Sequence, residues 1–403
     1  MHAAKKIPHV LRVIYGVALL LAVAVTFWSL QGGLQTSAAA AVAPSRPADG
    51  ASVRWSQGFG FLSAPQKAAT LEPSHTDIHI ATRNVSKECP PWFWEYAAFH
   101  KAHRGKPKTK YLKVPDANFG LGDRLHGALS MLRLAKALDR VLLLHWKSPY
   151  PLEEFFEPAG ALNWTAQGIA VKEGRKMSFV NRKVWSANGS RLHDGSLHKV
   201  SDTFLTIKTN MELNWPCHGC PDMPPTEWSV EAACIWQNMF RPVEPILQQA
   251  RAQLKQLYPD GLRPYVAVHL RLGGLEGEMG PPGPDRGKAP LENFLASVRC
   301  ASRLASNSSI DLDATPALVV TDNHNLRQML QEQHFKRVVT PPGLPLHISK
   351  AKHQTLEAYR SIVVDMVLLA WSECLATSRS GFSLHAWLYG GAKPCRVPWT
   401  TCL

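Results

Sequence analysis

One apolar run, PYVAVHLRLGG at residues 264–274, constrains the fold of this chain more strongly than any other segment. Its consecutive apolar residues predict a buried β-strand, and the paired glycines behind it predict a loop. His269 and Arg271 therefore stand at the carboxyl end of that strand. Ligands of open α/β sheets bind at this end, and an arginine guanidinium offers a planar fork of donors that suits a diphosphate. The run therefore predicts an anion-binding sheet edge.

Strand and helix patterns alternate on both sides of this run. In the first half, apolar strands are predicted at residues 111–114 and 141–146, and leucines spaced by three and four residues between them predict an amphipathic helix. In the second half, strands are predicted at residues 266–270, 317–321, 337–340 and 374–377, and helices at residues 291–304, 324–333, 353–371 and 382–389. This alternation predicts two doubly wound α/β domains, at residues 86–255 and 256–403.

The N-terminal residues predict a membrane anchor. Residues 13–30 form a run of 18 residues without a charge, which is about the minimum for a membrane-spanning helix. Basic residues precede this run and none follows it until Arg46, so the positive-inside rule predicts a cytosolic tail at residues 1–12 and a lumenal bulk. We expect residues 31–85, rich in Ala, Ser, Pro and Gly, to form a flexible stem. The alternative is a cleaved signal peptide, because small residues at 37–43 resemble a cleavage site.

The cysteines and glycosylation sequons suit a lumenal protein. The eight cysteines are an even number, which predicts disulfides whose pairing the sequence does not assign. Cys217 and Cys220 form a CxxC motif, and without a second such pair this favours a short-loop disulfide over a zinc site. N-glycosylation sequons begin at Asn84, Asn163, Asn188 and Asn307.

The charge balance favours an anionic partner. Lysine and arginine exceed aspartate and glutamate by 14, which suits a nucleotide, a nucleic acid, a membrane surface or an acidic glycan without choosing among them. Six basic residues are concentrated at residues 101–113, where they either contact an anion or form a solvated basic face. A hydrophobic content of 45% excludes a globally disordered chain.

Polar groups follow three of the strands predicted in the second half. They are His269 with Arg271, Asp322 with Asn323, and the SRSGFS run at residues 378–383. Equivalent strand ends of a parallel sheet face one crevice, so these groups are expected to lie together. Each group also has a structural alternative. His269 could be a buried core histidine, Asp322 could cap the next helix, and the serines could form a plain turn.

Other motifs either support this site weakly or exclude further chemistry. The turn NFGLGD at residues 118–123 opens a helix, and its glycines let backbone N–H groups approach an anion. It lacks the full dinucleotide fingerprint and the Lys-Ser/Thr of a P-loop. Asp311 and Asp313 form a DxD motif, but the apolar strand follows these acids instead of leading into them, so we do not assign a metal site there. The chain has no GxSxG motif of a hydrolase.

Four segments resemble the motifs of the fucosyltransferase superfamily. That group includes the α1,6-fucosyltransferases of the nodulation and N-glycan-core types, the plant cell-wall fucosyltransferases and the protein O-fucosyltransferases. The segments are NFGLGDRLHGALSMLRLAKALDRVLLLHW followed by PLEEFFEP, then VAVHLRLGG, ALVVTDN and DMVLLAWSECLATSRSGFS. They cover residues 111–387 in patches, and their order and spacing together are fairly specific.

The resemblance implies a GT-B fold, in which two Rossmann-like domains face a cleft. It implies an inverting transfer of fucose from GDP-fucose, without a required metal. Together with the predicted anchor, it leads us to expect a type II protein of the Golgi or endoplasmic reticulum membrane that acts on a hydroxyl of a glycan or glycoprotein. Residues 86–255 would then be the acceptor-side domain, and residues 256–403 would bind the GDP-sugar. Nucleic acid is not an expected partner.

By position, the resemblance also implies roles for single residues. Arg271 would bind the diphosphate and stabilise the departing GDP, while His269 would contact the donor. Asp322 and Asp365 would help to hold the guanosine part. The full set of implied donor-binding residues is His269, Arg271, Gly120, Gly122, Asp123, Asp322, Asn323, Asp365, Ser378, Ser380, Gly381 and Phe382.

The residues after Arg271 leave the catalytic base open. The core α1,6 type has an Asp-Lys pair there, where this chain has Gly274 and Leu275. Glu276, Glu278 and Asp285 in the adjacent loop are candidate acids, and Glu276 and Glu278 are the predicted catalytic carboxylates. The alternative is a mechanism without a dedicated base. Three alternatives for the whole chain are a GT-B transferase for another nucleotide sugar, a catalytically inactive glycan-binding relative, and a lumenal sulfotransferase. NFGLGD argues against the last, because it lacks the Lys and Ser or Thr of a phosphosulfate loop.

Overall fold

The computed structural model describes residues 82–116, 119–179, 195–210, 218–221, 230–259, 264–271, 316–332, 338–343, 345–346, 354–377, 380–393 and 395–398. All of them belong to one compact unit, Leu71–Leu403. The predicted membrane anchor at residues 13–30 lies outside these ranges, as does nearly all of the predicted stem. Within them, every helix is too short or too polar to traverse a bilayer.

The described helices and strands follow one another in alternation along most of the unit. The helices are α1 Pro91–His103, α2 Leu121–Ala137, α3 Val230–Met239, α4 Glu244–Leu257, α5 His324–Glu332, α6 Leu356–Trp371 and α7 Gly381–Tyr389. The strands are β1 Tyr111–Pro115, β2 Val141–His145, β3 Phe156–Pro158, β4 Arg175–Phe179, β5 Phe204–Thr209, β6 Phe240–Pro242, β7 Val266–Leu270, β8 Ala317–Thr321, β9 Val338–Val339, β10 Cys374–Thr377 and β11 Arg396–Pro398. Short 3-10 helices occupy Leu152–Glu154 and Ser196–Lys199.

The first half is built on a parallel sheet with the order β2-β1-β5-β4. Helix α2 connects β1 with β2, as the leucine spacing predicts, and its apolar side chains join those of β1, β2 and β5 in the main core. The predicted βαβ unit is therefore confirmed. The parallel strands β4 and β5 were not predicted.

The second half is built on another parallel sheet with the order β11-β10-β7-β8-β9. The predicted strands β7, β8 and β10 have the expected bounds, and the predicted α/β class with parallel sheets is confirmed. Helix α6 begins three residues later than predicted because Thr355 caps it, accepting a hydrogen bond from the Ala358 N–H at 3.3 Å. The predicted helix at residues 291–304 lies outside the described residues.

Helices from both halves pack into one continuous apolar core. Helix α7 packs against α2 and α3, and α4 packs against α6. The indole N–H of Trp236 on α3 donates to Nδ1 of His385 on α7 at 3.1 Å, and both side chains are buried. These contacts hold the carboxyl edge of the second sheet close to the start of α2.

Two disulfides tie the described elements together. Cys89 bonds to Cys234 of α3, and Cys374 of β10 bonds to Cys395 next to β11. Cys220 is also disulfide-bonded, whereas Cys217 lies outside the described residues, so the predicted CxxC bridge stays a prediction. The sequon asparagines Asn84 and Asn163 are exposed, and the other two lie outside the described residues.

Candidate functional site

The three polar motifs of the second half lie along one edge of its sheet. In the register of the sheet, His269 of β7 lies opposite Val320 of β8 and opposite Thr377 of β10, so the three strands end at the same level. Arg271 follows β7, and Asp322 follows β8. The start of α7 follows β10 after a short connection. The structure therefore brings the predicted strand-end groups to a common carboxyl edge.

Arg271 and Asp322 form an ion pair at this edge. Nη1 of Arg271 contacts Oδ2 of Asp322. The Asp322 side chain is only 9% exposed, whereas the Arg271 side chain is 28% exposed. The buried carboxylate thus holds the guanidinium by a charge-assisted hydrogen bond, and part of the arginine remains accessible to a ligand.

The cap of α5 comes from Asn323, not from Asp322. Its Oδ1 accepts a hydrogen bond from the Leu326 N–H at 3.0 Å, and its own N–H donates to Thr321 Oγ1 at 3.1 Å. The alternative in which Asp322 merely caps the helix is therefore wrong. Asp322 is left to orient Arg271, while Asn323 fixes the helix that follows.

His269 is buried beneath the edge and is neutral. Burial lowers its pKa to about 3, and the nearby charge of Arg271 acts in the same direction. Its ring centroid lies 5.4 Å from that of Phe382, in the first turn of α7. The His269 ring therefore packs against the first turn of α7.

The N-termini of α2 and α7 meet at this edge. A Cβ placed on Gly122 of α2 would lie 2.5 Å from the backbone of Gly381 and Phe382, so the two backbones touch where only glycine fits. Gly120 is the N-cap residue of α2, and Ser380 caps α7 by accepting a hydrogen bond from the Phe382 N–H at 3.2 Å. Each helix directs its unpaired N–H groups and the positive end of its dipole toward this region.

Asp123 reaches the same region from the first half. It lies in the first turn of α2, where burial raises the pKa of its carboxyl group. The charge of Arg271 offsets part of that rise, which places the guanidinium near the carboxylate. The site therefore combines one carboxylate from the first half with one guanidinium from the second.

Arg124 anchors the turn that carries Asp123, and the sequence interpretation missed it. Its Nε donates to the Phe119 carbonyl at 3.0 Å and its Nη1 to the Ser148 carbonyl at 2.5 Å. Arg124 is buried although it stands in the first turn of a helix. An arginine at an otherwise apolar position of the amphipathic pattern was the signal that could have revealed it.

Asp365 lies behind the edge in a buried ion pair with Arg327. Both carboxylate oxygens accept from the guanidinium, at 2.9 and 3.4 Å. Burial raises the pKa of Asp365, and Arg327 opposes that rise. Arg327 also donates to the carbonyls of Pro341 and Pro342, each at 3.0 Å, and so fixes the loop after β9. The implied contact of Asp365 with guanosine stays a prediction.

Several predicted site residues lie outside the described residues, namely Ser378, Glu276 and Glu278. Over the described ranges, no group of three or more His, Cys, Asp or Glu side chains is arranged to hold a metal ion. The arrangement that the structure does describe is a sheet edge with the Arg271 guanidinium, the Asp322 carboxylate paired with it, and the starts of α2 and α7, where Asp123 lies in the first turn of α2. Such an edge suits an anionic ligand next to a group that accepts a proton.

No family model matches the chain, and no curated protein matches it. Among solved structures, a point mutant of Arabidopsis thaliana FUT1 in complex with GDP is 14% identical at a TM-score of 0.45, covering 76% of this chain and 75% of its own. NodZ α1,6-fucosyltransferase soaked with GDP-fucose is 16% identical at a TM-score of 0.41, and the match covers 70% of this chain and 92% of the NodZ chain. POFUT1 in complex with GDP-fucose is 16% identical at a TM-score of 0.43, and the match covers 73% of this chain and 99% of the POFUT1 chain. These proteins come from the superfamily that the motifs resemble, but likeness at this level assigns no residue role or activity to this chain.

Proposed function

We propose that the chain is an inverting glycosyltransferase that moves fucose from GDP-fucose to a hydroxyl of a glycan or glycoprotein. The observation that carries this proposal is that Arg271 and the start of α7 follow the neighbouring strands β7 and β10 at one sheet edge, where the start of α2 packs against the start of α7. This arrangement suits a diphosphate, which carries negative charge on closely spaced oxygens. The fucosyltransferase-like motifs support GDP-fucose as the particular donor, and they support a GT-B arrangement of the two sheets.

Arg271 acts on the leaving group. Breakage of the bond between the anomeric carbon and the phosphate oxygen builds negative charge on GDP and positive charge on the sugar. Arg271, held in place by Asp322, and the N–H groups of the two helices meet the negative charge without having to reorganise. Because these groups already supply positive charge, the proposed transfer does not depend on a metal ion.

Asp123 accepts the proton from the acceptor. The acceptor oxygen attacks the anomeric carbon from the face opposite to GDP, which inverts the configuration. Its proton passes to the Asp123 carboxylate, and the bonding electrons of the broken bond leave with GDP. The raised pKa of Asp123 makes its carboxylate a stronger proton acceptor than an ordinary aspartate, provided that it is ionised. Glu276 and Glu278 stay candidates for the same step.

We further propose that the chain works in the lumen of the Golgi or endoplasmic reticulum, attached by residues 13–30 as a type II membrane protein. The uncharged run and the basic residues before it support this location. Exposed sequon asparagines, Asn84 and Asn163, are compatible with it.

Calorimetric titration of the purified full chain with GDP tests the donor site. We expect micromolar affinity for GDP in the presence of EDTA. In a separate assay of the same protein, we expect slow hydrolysis of GDP-fucose but not of UDP-galactose or GDP-mannose. The affinity is expected because the diphosphate meets Arg271 and two helix N-termini. A protein that ignores GDP, that needs Mn²⁺ to bind it, or that hydrolyses another nucleotide sugar faster would contradict the proposal.

Replacing Gly122 with alanine should damage the same site through the backbone. The added methyl group would lie 2.5 Å from the backbone of Gly381 and Phe382, so the first turn of α2 must shift away from α7. We expect a loss of about 1–3 kcal/mol in the free energy of unfolding, as for other overpacked positions, and GDP affinity reduced by about tenfold. Thermal unfolding and calorimetry measure the two effects.

Lys136→Ala is the matched control, at the other end of α2. Lys136 forms a surface ion pair with Glu95, and such pairs contribute about 0–1 kcal/mol. If Gly122→Ala behaves like this control in both measurements, the close contact between α2 and α7 does not shape the donor site.

A further inference from the structure

The sheet of the first half has a second face, opposite to the one that packs on α2. Near the amino ends of the strands, Tyr111, Val141 and Phe204 lie in register on this face and form a buried cluster separate from the main core. Side chains two positions further along a strand return to the same face. The register of the strands therefore identifies which polar residues continue this face toward the carboxyl ends.

Toward the carboxyl ends, the face becomes cationic. Lys113 of β1 lies opposite Thr206 of β5, and Thr206 lies opposite Lys176 of β4. Lys208 stands two residues beyond Thr206, and Lys147 stands two residues beyond His145, the last residue of β2. These four lysines together with Thr206 are called the lysine face below. All four lysines are exposed or partly exposed, so a ligand can reach them.

The lysine face keeps a net positive charge. Burial lowers the pKa of Lys113, and the charges of Lys176 and Lys147 push it in the same direction, so the three ammonium groups lie near one another. Glu173 opposes this shift and pairs with Lys176 at 2.8 Å, but both groups are well exposed to solvent. Asp116 accepts a hydrogen bond from the backbone N–H of Lys147 at 3.1 Å. Two carboxylates thus stand against four lysines.

Thr206 contributes an unused donor at the centre of the lysine face. Its hydroxyl is buried and has no hydrogen-bond partner in the part of the chain that the structure describes. A buried hydroxyl in this state is unfavourable, and an oxygen of an anion would satisfy it once the flanking lysine side chains move apart to bind that anion. Because Thr206 lies between Lys113 and Lys176 in the register, an anion bound by both lysines would also be close to its hydroxyl.

The lysine face continues to the edge that bears the candidate active site. The hydrogen bond from the Lys147 N–H to Asp116 joins the segments that follow β2 and β1. The next residue, Ser148, accepts from Arg124, the neighbour of Asp123 in the first turn of α2. An extended acceptor whose reactive hydroxyl lies at Asp123 can therefore pass over this edge onto the lysine face.

The kind of cation indicates the kind of anion. Within the described residues, the cationic side chains that the strand register gives to this face are lysines, whereas Arg175 of β4 lies opposite Leu205 and so belongs to the other face. An arginine fork matches a planar carboxylate with two parallel bonds, but separate ammonium groups do not require a planar partner. Separate donors on three adjacent strands suit the three free oxygens of a sulfate ester better than a carboxylate.

We propose that the lysine face binds sulfate esters of the acceptor, so that the enzyme acts on a sulfated glycan. The assignment of this glycan as the acceptor rests on the proposed function, but its binding can be measured without any transfer. Sulfate contacts on the lysine face would hold the acceptor in one orientation while its free hydroxyl lies next to Asp123.

Fluorescence anisotropy of labelled oligosaccharides with the full chain tests this proposal. The probes are a sulfated carrageenan hexasaccharide, a neutral agarose hexasaccharide and a hexagalacturonate. We expect the sulfated probe to bind at least about tenfold more tightly than the other two, and to lose affinity as salt is added. Equal or tighter binding of the hexagalacturonate would overturn the choice of sulfate, and equal binding of the neutral probe would overturn the role of charge.

Matched variants separate contact from overall charge. Lys113→Gln combined with Lys176→Gln should weaken the sulfated probe by about tenfold or more, and Thr206→Val should weaken it without loss of thermal stability. Arg175→Gln removes a charge from the residue next to Lys176 but on the other face, so it should leave affinity unchanged. If Arg175→Gln costs as much affinity as Lys176→Gln, the binding is nonspecific and the proposal fails.

GDP titration of the same preparations distinguishes this proposal from the proposed function. A protein that binds GDP but not the sulfated probe overturns the lysine face alone. A protein that binds the sulfated probe through Lys113 and Lys176 but not GDP supports the lysine face and overturns the donor assignment.

Discussion

Replacing Arg271 with glutamine should lower kcat for fucose transfer by about 10²–10³-fold, as expected when one preorganised donor to a developing negative charge is lost. Glutamine keeps a hydrogen-bond donor but removes the positive charge that faces the departing GDP. Affinity for GDP should fall as well, because the product carries the same diphosphate. Single-turnover transfer measured at saturating GDP-fucose separates the chemical step from binding.

The ion pair with Asp322 complicates this experiment, and two further variants resolve it. The Asp322 side chain is only 9% exposed, and Arg271→Gln removes the arginine that pairs with it. Breaking a buried ion pair in this way lowers the free energy of unfolding by about 3–5 kcal/mol. The combination of Arg271→Gln with Asp322→Asn neutralises both partners, so it should recover most of this stability and none of the activity. Arg271→Lys keeps the charge but loses the planar fork, so we expect an intermediate rate.

The combined variant also tests whether Arg271 stabilises the leaving group. If the combined variant folds well and transfers fucose at more than about a tenth of the original rate, the guanidinium is not the main source of leaving-group stabilisation. If activity and stability recover together, Arg271 and Asp322 form a structural pair only.

The strands near the site were predictable because their apolar runs are continuous. Strands β7, β8 and β10 are buried over their full lengths, and a buried strand in a parallel sheet carries few polar residues to obscure its pattern. Strands β4 and β5 escaped prediction because lysines of the lysine face interrupt them, at Lys176 and Lys208. Strand β4 is largely exposed, whereas β5 is mostly buried but mixes threonines and a lysine into a short apolar run, so propensity alone recovers neither strand.

Local sequence patterns could not predict which charged residues pair with one another. Asp322 and Asn323 are neighbours with similar side chains, and only the structure shows that one orients Arg271 while the other caps α5. Arg327 and Asp365 are 38 residues apart, so no sequence spacing indicates that they meet. Motif order did place the strand ends of the second half in one region, because parallel strands share their carboxyl edge.

Local sequence patterns also could not predict contacts between the two halves. The glycines of NFGLGD predicted that backbone N–H groups at the start of α2 can approach an anion, but not that Gly122 packs against the start of α7. Sequence reasoning looked for the catalytic base after Arg271, in the loop that contains Glu276 and Glu278. The structure adds Asp123 as a candidate from the opposite half, because tertiary packing brings the start of α2 against the start of α7 and the charge of Arg271 acts on the pKa of Asp123.

Replacing Asp123 with asparagine should therefore lower kcat by about 10²–10⁴-fold, the usual contribution of general acid–base catalysis, while GDP affinity changes little. Burial raises the pKa of the Asp123 carboxyl above its ordinary value, although Arg271 opposes the rise. Because the carboxylate is the active form, kcat/KM should increase with pH as this group loses its proton. Asparagine has a similar shape but cannot accept the proton, so this acidic limb should vanish from the pH profile.

Asp123→Glu is the matched control, because it keeps the carboxylate and moves it by one methylene. It should retain an acidic limb at a reduced rate, whereas a purely structural role would make both variants lose stability without changing the shape of the profile. If Asp123→Asn transfers fucose at a nearly normal rate and keeps the limb, the proton goes elsewhere. Glu276→Gln and Glu278→Gln would then be the variants expected to remove the limb, and loss of it in either one would move the base to the loop after Arg271.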